Sequence, residues 1–554
     1  MKRMYYFSSA LVLMLIANFS FANFINVQNT TLTGQNTTTQ QIQVQFDLSW
    51  NNSWRDSINY DGAWVFVKYR IGTGNWTHAN LDTLNFLVGT GTAHAIRVAP
   101  LTNTAIRPGA MIWRTGGGSG TFNATGIQLS WRYGNQGVTN TDALTAQLRV
   151  FAIEMVYIPQ GNYFLGSANN TRNNFYNGTN SAQPLQITGT GFSNSLGSNL
   201  IGNWSNTRFH GVQGLDGNND GSMASGYPTD NPDYPIGWKA FWIMKYEISQ
   251  GQYADFLNTL TYLQQSTRFP GGDINTVNNN IQNNSTTDPN RYTLRIGTAG
   301  VNPGTPRVVI TVRPDRGCNF LSWPDGCAYA DWAGLRMMSE LEYEKAGRGF
   351  LNSVINEYAW GTTTGVLGNT LSGTENGTET VTEAGANFSN IAQTRSGGDG
   401  NTGPLRVGIH ATATSTRTQA GSSYFGVMDM TGNLFEMYVN VQHNQGRSYR
   451  GDHALWHGDG TLTTAGTQGA ANVANWTGNG GVTVNVATTP TDITQGGGVV
   501  QRGTNGSWTS GSDDYRLTDR MSTGSATLSG STNYVDMSGR DYRYGQRLGR
   551  SGFH

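Results

Sequence analysis

The sequence predicts an α+β chain in which an antiparallel β-sandwich precedes a larger unit of short strands, a few capped helices and long loop insertions. Three observations carry this. From Phe24 to about Leu148, apolar and polar residues alternate in short runs, as in Ile42-Gln43-Val44-Gln45-Phe46-Asp47-Leu48 and Ala63-Trp64-Val65-Phe66-Val67-Lys68-Tyr69, with Gly- and Asn-rich turns between them. Beyond Phe151 the period changes, and Ser residues stand three positions ahead of Gln or Glu at the start of helical patterns. Gly/Asn/Thr-rich stretches near 170–234, 265–310 and 457–497 carry no period and read as insertions. The expected division is 1–22, 23–150 and 151–554.

The first segment reads as a secretory signal peptide. Met1-Lys2-Arg3 supplies the charge, Ala10 to Ala17 the apolar stretch, and Ser20-Phe21-Ala22 the small-residue cleavage site before Asn23. Export to the periplasm, the cell surface or the medium is therefore expected. No later run reaches the ~20 apolar residues of a membrane span. Lys+Arg and Asp+Glu balance at 35 each, so the basic footprint of a nucleic-acid binder is missing, and no nucleic-acid partner is expected. Only 13% of residues are charged, which fits short strands joined by polar loops.

The sandwich unit, 23–150, shows no amphipathic helix and no catalytic constellation. The second unit opens at Met155 to Ser167 with a strand, a Pro/Gly turn and another strand. Asp216-Gly217-Asn218-Asn219-Asp220-Gly221 matches the first half of an EF-hand loop, but Tyr227 holds the twelfth place, so an Asx-rich turn competes with a calcium loop. One helix is expected after Ser249, with Gln252 reaching back and Tyr253, Phe256 and Leu257 on one face. A second should cover Asp325 to Trp332, started by Ser322 and Pro324. A third should follow Ser339 and Glu342. Cys318 and Cys327 are the only cysteines; in an exported chain a local disulfide is the plain reading, and their spacing fits neither CxxC nor a zinc pattern.

Eight of these fragments, taken in order, resemble the formylglycine-generating enzyme (sulfatase-modifying factor) family. The matching pieces are Met155 to Ser167, Phe241 to Phe256, Leu321 to Tyr329, Arg336 to Glu344, Tyr358 to Gly361, Gly426 to Met437, Arg502 to Trp508 and Tyr544 to Arg547. The resemblance implies a compact irregular fold akin to C-type lectins, with two structural calcium sites. It assigns one to Asp429, Glu436 and the carbonyls of Gly432 and Leu434, and the other to Asn387, Asp399 and the carbonyls of Phe388 and Asn401. Hard oxygen donors of this kind suit calcium.

The family's enzymes oxidise a peptide cysteine to formylglycine with two late cysteines that bind copper(I), a soft ion. The corresponding stretch here, Ser507 to Arg516, contains no cysteine, so no copper is expected. His443, His453 and His457, with Asp452 and Asp459, offer imidazole and carboxylate donors for another metal, or form a solvent-facing loop. Two functions follow. The first is a non-catalytic, calcium-stabilised binding or structural module for a protein, peptide or glycan, with 15 Trp, 24 Tyr and 22 Phe available for stacking. The alternative is an oxidoreductase of the formylglycine-generating or non-haem-iron type that uses a different metal site.

Overall fold

The computed structural model describes residues 25–553, apart from 168–174, 178–183, 190–199, 203–230, 271–294, 297–303, 399–401, 442–445, 447–448, 474–475, 477–497, 504–514, 523–538 and the single positions 312, 392, 395 and 520. Several expectations lie outside the described residues: the signal peptide, the Asp216 to Gly221 loop, Asp399, Asn401, His443, and the stretch Ser507 to Asp514.

The described chain is mostly β, with a few short helices. Strands β1 (Asn26–Asn36), β2 (Gln41–Arg55), β3 (Asp61–Arg70), β4 (Leu81–Leu87), β5 (His94–Val98), β6 (Ala110–Arg114), β7 (Gly118–Trp131) and β8 (Gln147–Ile158) come first. They are followed by β9 (Phe241–Met244), β10 (Phe435–Val439), β11 (Val499–Arg502), β12 (Tyr544–Gly545) and β13 (Gly549–Ser551), with further two- and three-residue strands between. The helices are α1 (Asn140–Thr145), α2 (Gln250–Leu257), α3 (Tyr262–Arg268), α4 (Trp323–Trp332) and α5 (Glu340–Arg348).

One sheet has the order β1-β2-β7-β4, and the main path of a second runs β13-β9-β8-β3-β6-β5. Alternation along β2 buries Ile42, Val44, Phe46, Leu48 and Trp50 between the two sheets. Strand β3 is buried on both faces, because the second sheet separates two cores. Ala63, Val65 and Val67 enter the first core, whereas Trp64 and Phe66 enter the second, against α2 and α4. A strand covered on both sides loses its alternating signal.

The expected boundary after residue 150 falls inside β8. This strand pairs with β3 from Gln147 to Val156 and with β9 from Met155 to Ile158, so one sheet runs without a break through both expected units. Polar bonds tie the two sides further. Lys68 Nζ donates to the carbonyls of Trp332 at 2.8 Å and Gly460 at 2.6 Å, and Trp64 Nε1 donates to Ala333 O at 2.7 Å. Buried Lys245 pairs with Glu154 at 3.0 Å and with Asp61 at 3.6 Å.

The three expected helices begin where their capping boxes stand, at Ser249 with Gln252, Ser322 with Asp325, and Ser339 with Glu342. Thr261 with Gln264 starts a fourth, α3, that runs into the expected 265–310 insertion. Thr139 caps the six-residue α1 in the first unit, where no helix was expected.

Candidate functional site

Three of the sequence motifs, far apart in the chain, meet in one buried centre. Glu247 follows β9, the loop Asp429 to Glu436 leads into β10, and Arg547 precedes β13. Arg547 donates through Nε to Glu436 Oε1 at 2.6 Å, through Nη1 to the carbonyls of Met244 and Lys245 at 3.0 Å each, and through Nη2 to Met428 O at 2.7 Å. Tyr438 donates its hydroxyl to the other Glu436 oxygen. Glu247 accepts from Asn433 Nδ2 at 2.6 Å and Leu434 N at 3.0 Å. Asp429 accepts from Gly408 N at 2.6 Å. The loop needs Gly432, whose φ is 93° and where a Cβ would stand 2.4 Å from Ser389 O.

The charges in this centre do not balance. Glu247 and Glu436 are buried and Asp429 is half-buried around the guanidinium of Arg547, and Arg406 also acts on Asp429 at longer range. Burial raises all three carboxyls; Asp429 and Glu436 further raise Glu247, while Arg547 pulls in the opposite direction. Asp429 is pushed up to about 6. This excess of negative charge favours a nearby cation, but among the described residues no three His, Cys, Asp or Glu side chains are placed to hold one, so backbone carbonyls would have to complete any such site. The other expected calcium site shows no such excess in its described half. Asn387 spends its side chain on Val366 N at 2.9 Å and Thr418 O at 3.0 Å, and Phe388 O accepts from Gly368 N at 2.9 Å.

A second buried ionic network surrounds α5. Arg502 pairs with Glu340 at 3.3 Å and Glu344 at 3.0 Å, Arg348 with Glu344 at 3.3 Å and Glu357 at 2.5 Å, and Arg336 with Glu342 at 2.6 Å. Here the acids and bases nearly match. The Arg336 to Glu344 motif is therefore an anchor for the fold.

The expected disulfide is not formed. Cys318 and Cys327 are separate, buried free thiols in the core around α4, and burial raises both. Apolar packing from Leu321, Trp323 and Tyr329 lets each thiol act as a small hydrophobe. Among its described members, the histidine loop also gathers no centre. His457 is buried with Nε2 on Gly451 O and Ser551 Oγ, His453 Nδ1 accepts from Leu455 N, Asp452 faces Lys239 and Arg336, and Asp459 accepts from Thr461. Among the described residues, no three His, Cys, Asp or Glu side chains are placed to hold a metal.

A recess of about 490 Å³ opens beside the Asn387 loop. Hydroxyls of Thr378, Thr380, Thr412 and Ser415 and the Gln419 amide line it, over buried Arg406 and His410. Arg406 Nη2 donates to Glu379 O at 3.0 Å, while its Nη1 has no partner among the described residues. Reading the sequence missed Glu247, Arg547 and Arg406 as functional groups. The first two sit inside matched motifs, where an acid between Tyr246 and Ile248 and an arginine next to Leu548 signal buried charges that need each other.

The Sulfatase-modifying factor enzyme 1-like domain model matches residues 212–531, more than half of the chain. The chain belongs to this family. Within the sulfatase-modifying factor-like chain, β8 and Arg547 lie outside the matched residues yet complete the sheet and the Glu436 pair. The chain is similar to formylglycine-generating enzymes from Bos taurus, 28% identical over 24% of this chain and 36% of the relative, and from Streptomyces coelicolor, 28% identical over 25% and 46%. A third, from Thermomonospora curvata, is 27% identical over 26% and 48%. The sulfatase-modifying factor-like chain thus spans about a third to a half of the length of the curated relatives it matches. Among the described residues no helix is long and apolar enough to cross a membrane.

Proposed function

We propose that the protein is an exported, non-catalytic binding module in which a β-sandwich and a calcium-stabilised sulfatase-modifying factor-like domain recognise a protein, peptide or glycan. The observation that carries this reading is the fate of the thiols. No cysteine follows Cys327, and both cysteines are locked in the core, where burial keeps them protonated. A thiolate pair for copper(I) therefore has no source in this chain. Asp429, Glu436 and the carbonyls of Gly432 and Leu434 would hold the calcium, with Glu247 adding to the negative field. The cation would fix the loop that carries β10 to the rest of the domain.

The recess above Arg406 supports ligand binding at the surface. Its volume falls in the usual range for small-ligand sites, and hydroxyls with a buried cation suit a polyhydroxylated or acidic group. The oxidoreductase alternative gains nothing from His457 or Asp452, which are spent on internal partners. The test is incubation with a cysteine-containing sulfatase peptide, copper(I) and oxygen. The expected result is no aldehyde on the peptide; formation of formylglycine would overturn the proposal.

A further inference from the structure

A slot of about 220 Å³, with a lining distinct from that of the Arg406 recess, opens where β8 leaves the cover of β9. Strand β8 pairs with β3 from Gln147 to Val156 in unbroken register, but with β9 only from Met155 onward. Tyr157 N donates to Tyr60 O on the β3 side, whereas Glu154 O accepts from Lys245 N at 3.0 Å on the other side. Backbone groups of a strand alternate in direction, so those of Val150 and Ala152 point the same way as those of Glu154, away from β3. Among the described residues nothing pairs with them. Ile25 and Val27, at the start of β1, line the slot without β1 joining β8.

An open strand edge is a template for another extended chain. This one is half-buried at Val150, Phe151 and Ala152, and it borders the apolar slot instead of open solvent. Phe66, Phe151, Tyr329 and Trp332 form the aromatic walls. Asp255 of α2 lines the slot with an exposed side chain and makes no direct ion pair among the described residues; Arg149 acts on it only at longer range.

We propose that this slot binds an extended peptide segment, which adds to the free edge of β8 at Val150 and Ala152, lays an apolar side chain against the packed rings of Phe151 and Trp332, and sets a basic side chain against Asp255. Unpaired backbone donors and acceptors in strand spacing are matched by another polypeptide backbone in extended form, which selects a peptide over a glycan. The Asp255 carboxylate selects a basic neighbour. This inference stands apart from the Arg406 recess and survives if that recess binds nothing.

The probe is a fluorescein-labelled, acetylated octapeptide of alternating valine and lysine, titrated against the intact mature protein by fluorescence anisotropy. Methylating alternate backbone nitrogens of the probe should weaken binding by about tenfold or more, since two or more hydrogen bonds are lost. Ala152→Pro should do the same, because proline there removes only the outward donor and leaves the β3 ladder intact. Asp255→Asn should narrow the preference for this probe over its glutamate counterpart by about threefold or more. Equal affinity for the methylated and unmethylated probes, or no binding of the plain probe, overturns the proposal without any variant having to fold.

Discussion

The two buried ionic centres of this protein are built from the same residue types and solve opposite problems. Around α5, Glu340, Glu342, Glu344 and Glu357 face Arg336, Arg348 and Arg502, and charge is met by charge through short, direct contacts. Around Arg547, only Glu436 is paired directly; Glu247 and Asp429 feel the guanidinium at longer range, Asp429 also feels Arg406, and burial raises all three. The first centre is self-sufficient and fastens a helix. The second is complete only with a proton or a cation, so its stability should answer to solution conditions while that of the first does not.

The largest effects come from removing the central arginines. Arg547→Met and Arg502→Met should each cost about 3–5 kcal/mol, since each takes the guanidinium away from buried acids. Denaturant melts with calcium and with chelator separate them: calcium should restore part of the loss in the Arg547 variant and none in the Arg502 variant. Equal behaviour would erase the contrast between the centres.

Next is the pH response without calcium. Asp429 rises from an ordinary 3.8 to about 6 on folding, so between these values the native state holds a proton that the unfolded chain has released. Stability from this group is therefore present below about 4 and is lost as pH climbs through about 6, by on the order of 3 kcal/mol. Asp429→Asn should flatten that slope, and so should saturating calcium in the parent protein. A slope that persists in both cases would move its origin elsewhere.

A smaller effect tests the self-sufficient centre. Ser339→Ala removes the cap from Glu342 N and should cost about 1 kcal/mol, independent of calcium. The smallest is a null: with Cys318 and Cys327 free, a reductant should not change the melting temperature. A reductant-sensitive melt would restore the disulfide.

Legibility in the sequence followed local chemistry. The capping boxes at Ser249, Ser322 and Ser339 were readable because a cap and its partner lie three residues apart, and Thr261 with Gln264 offered the same signal just before an aperiodic stretch drew attention away. Strand β2 was readable because one face is covered. The continuity of β8 was not, because its β3 partners lie in one expected unit and its β9 partners in the other, and alternation alone does not name a partner. The motifs that mark the family also marked the Arg547 centre, but as separate fragments. That Glu247, Asp429, Glu436 and Arg547 converge depends on the three-dimensional path of the chain. The disulfide expectation rested on compartment and count, and packing around α4 decided against it.

The most direct test is the metal content of the protein purified without chelators, measured by inductively coupled plasma mass spectrometry. A calcium-stabilised, non-catalytic module should carry about one or more calcium per chain and no stoichiometric copper. Copper at about one per chain would contradict it and return the protein to oxidation chemistry.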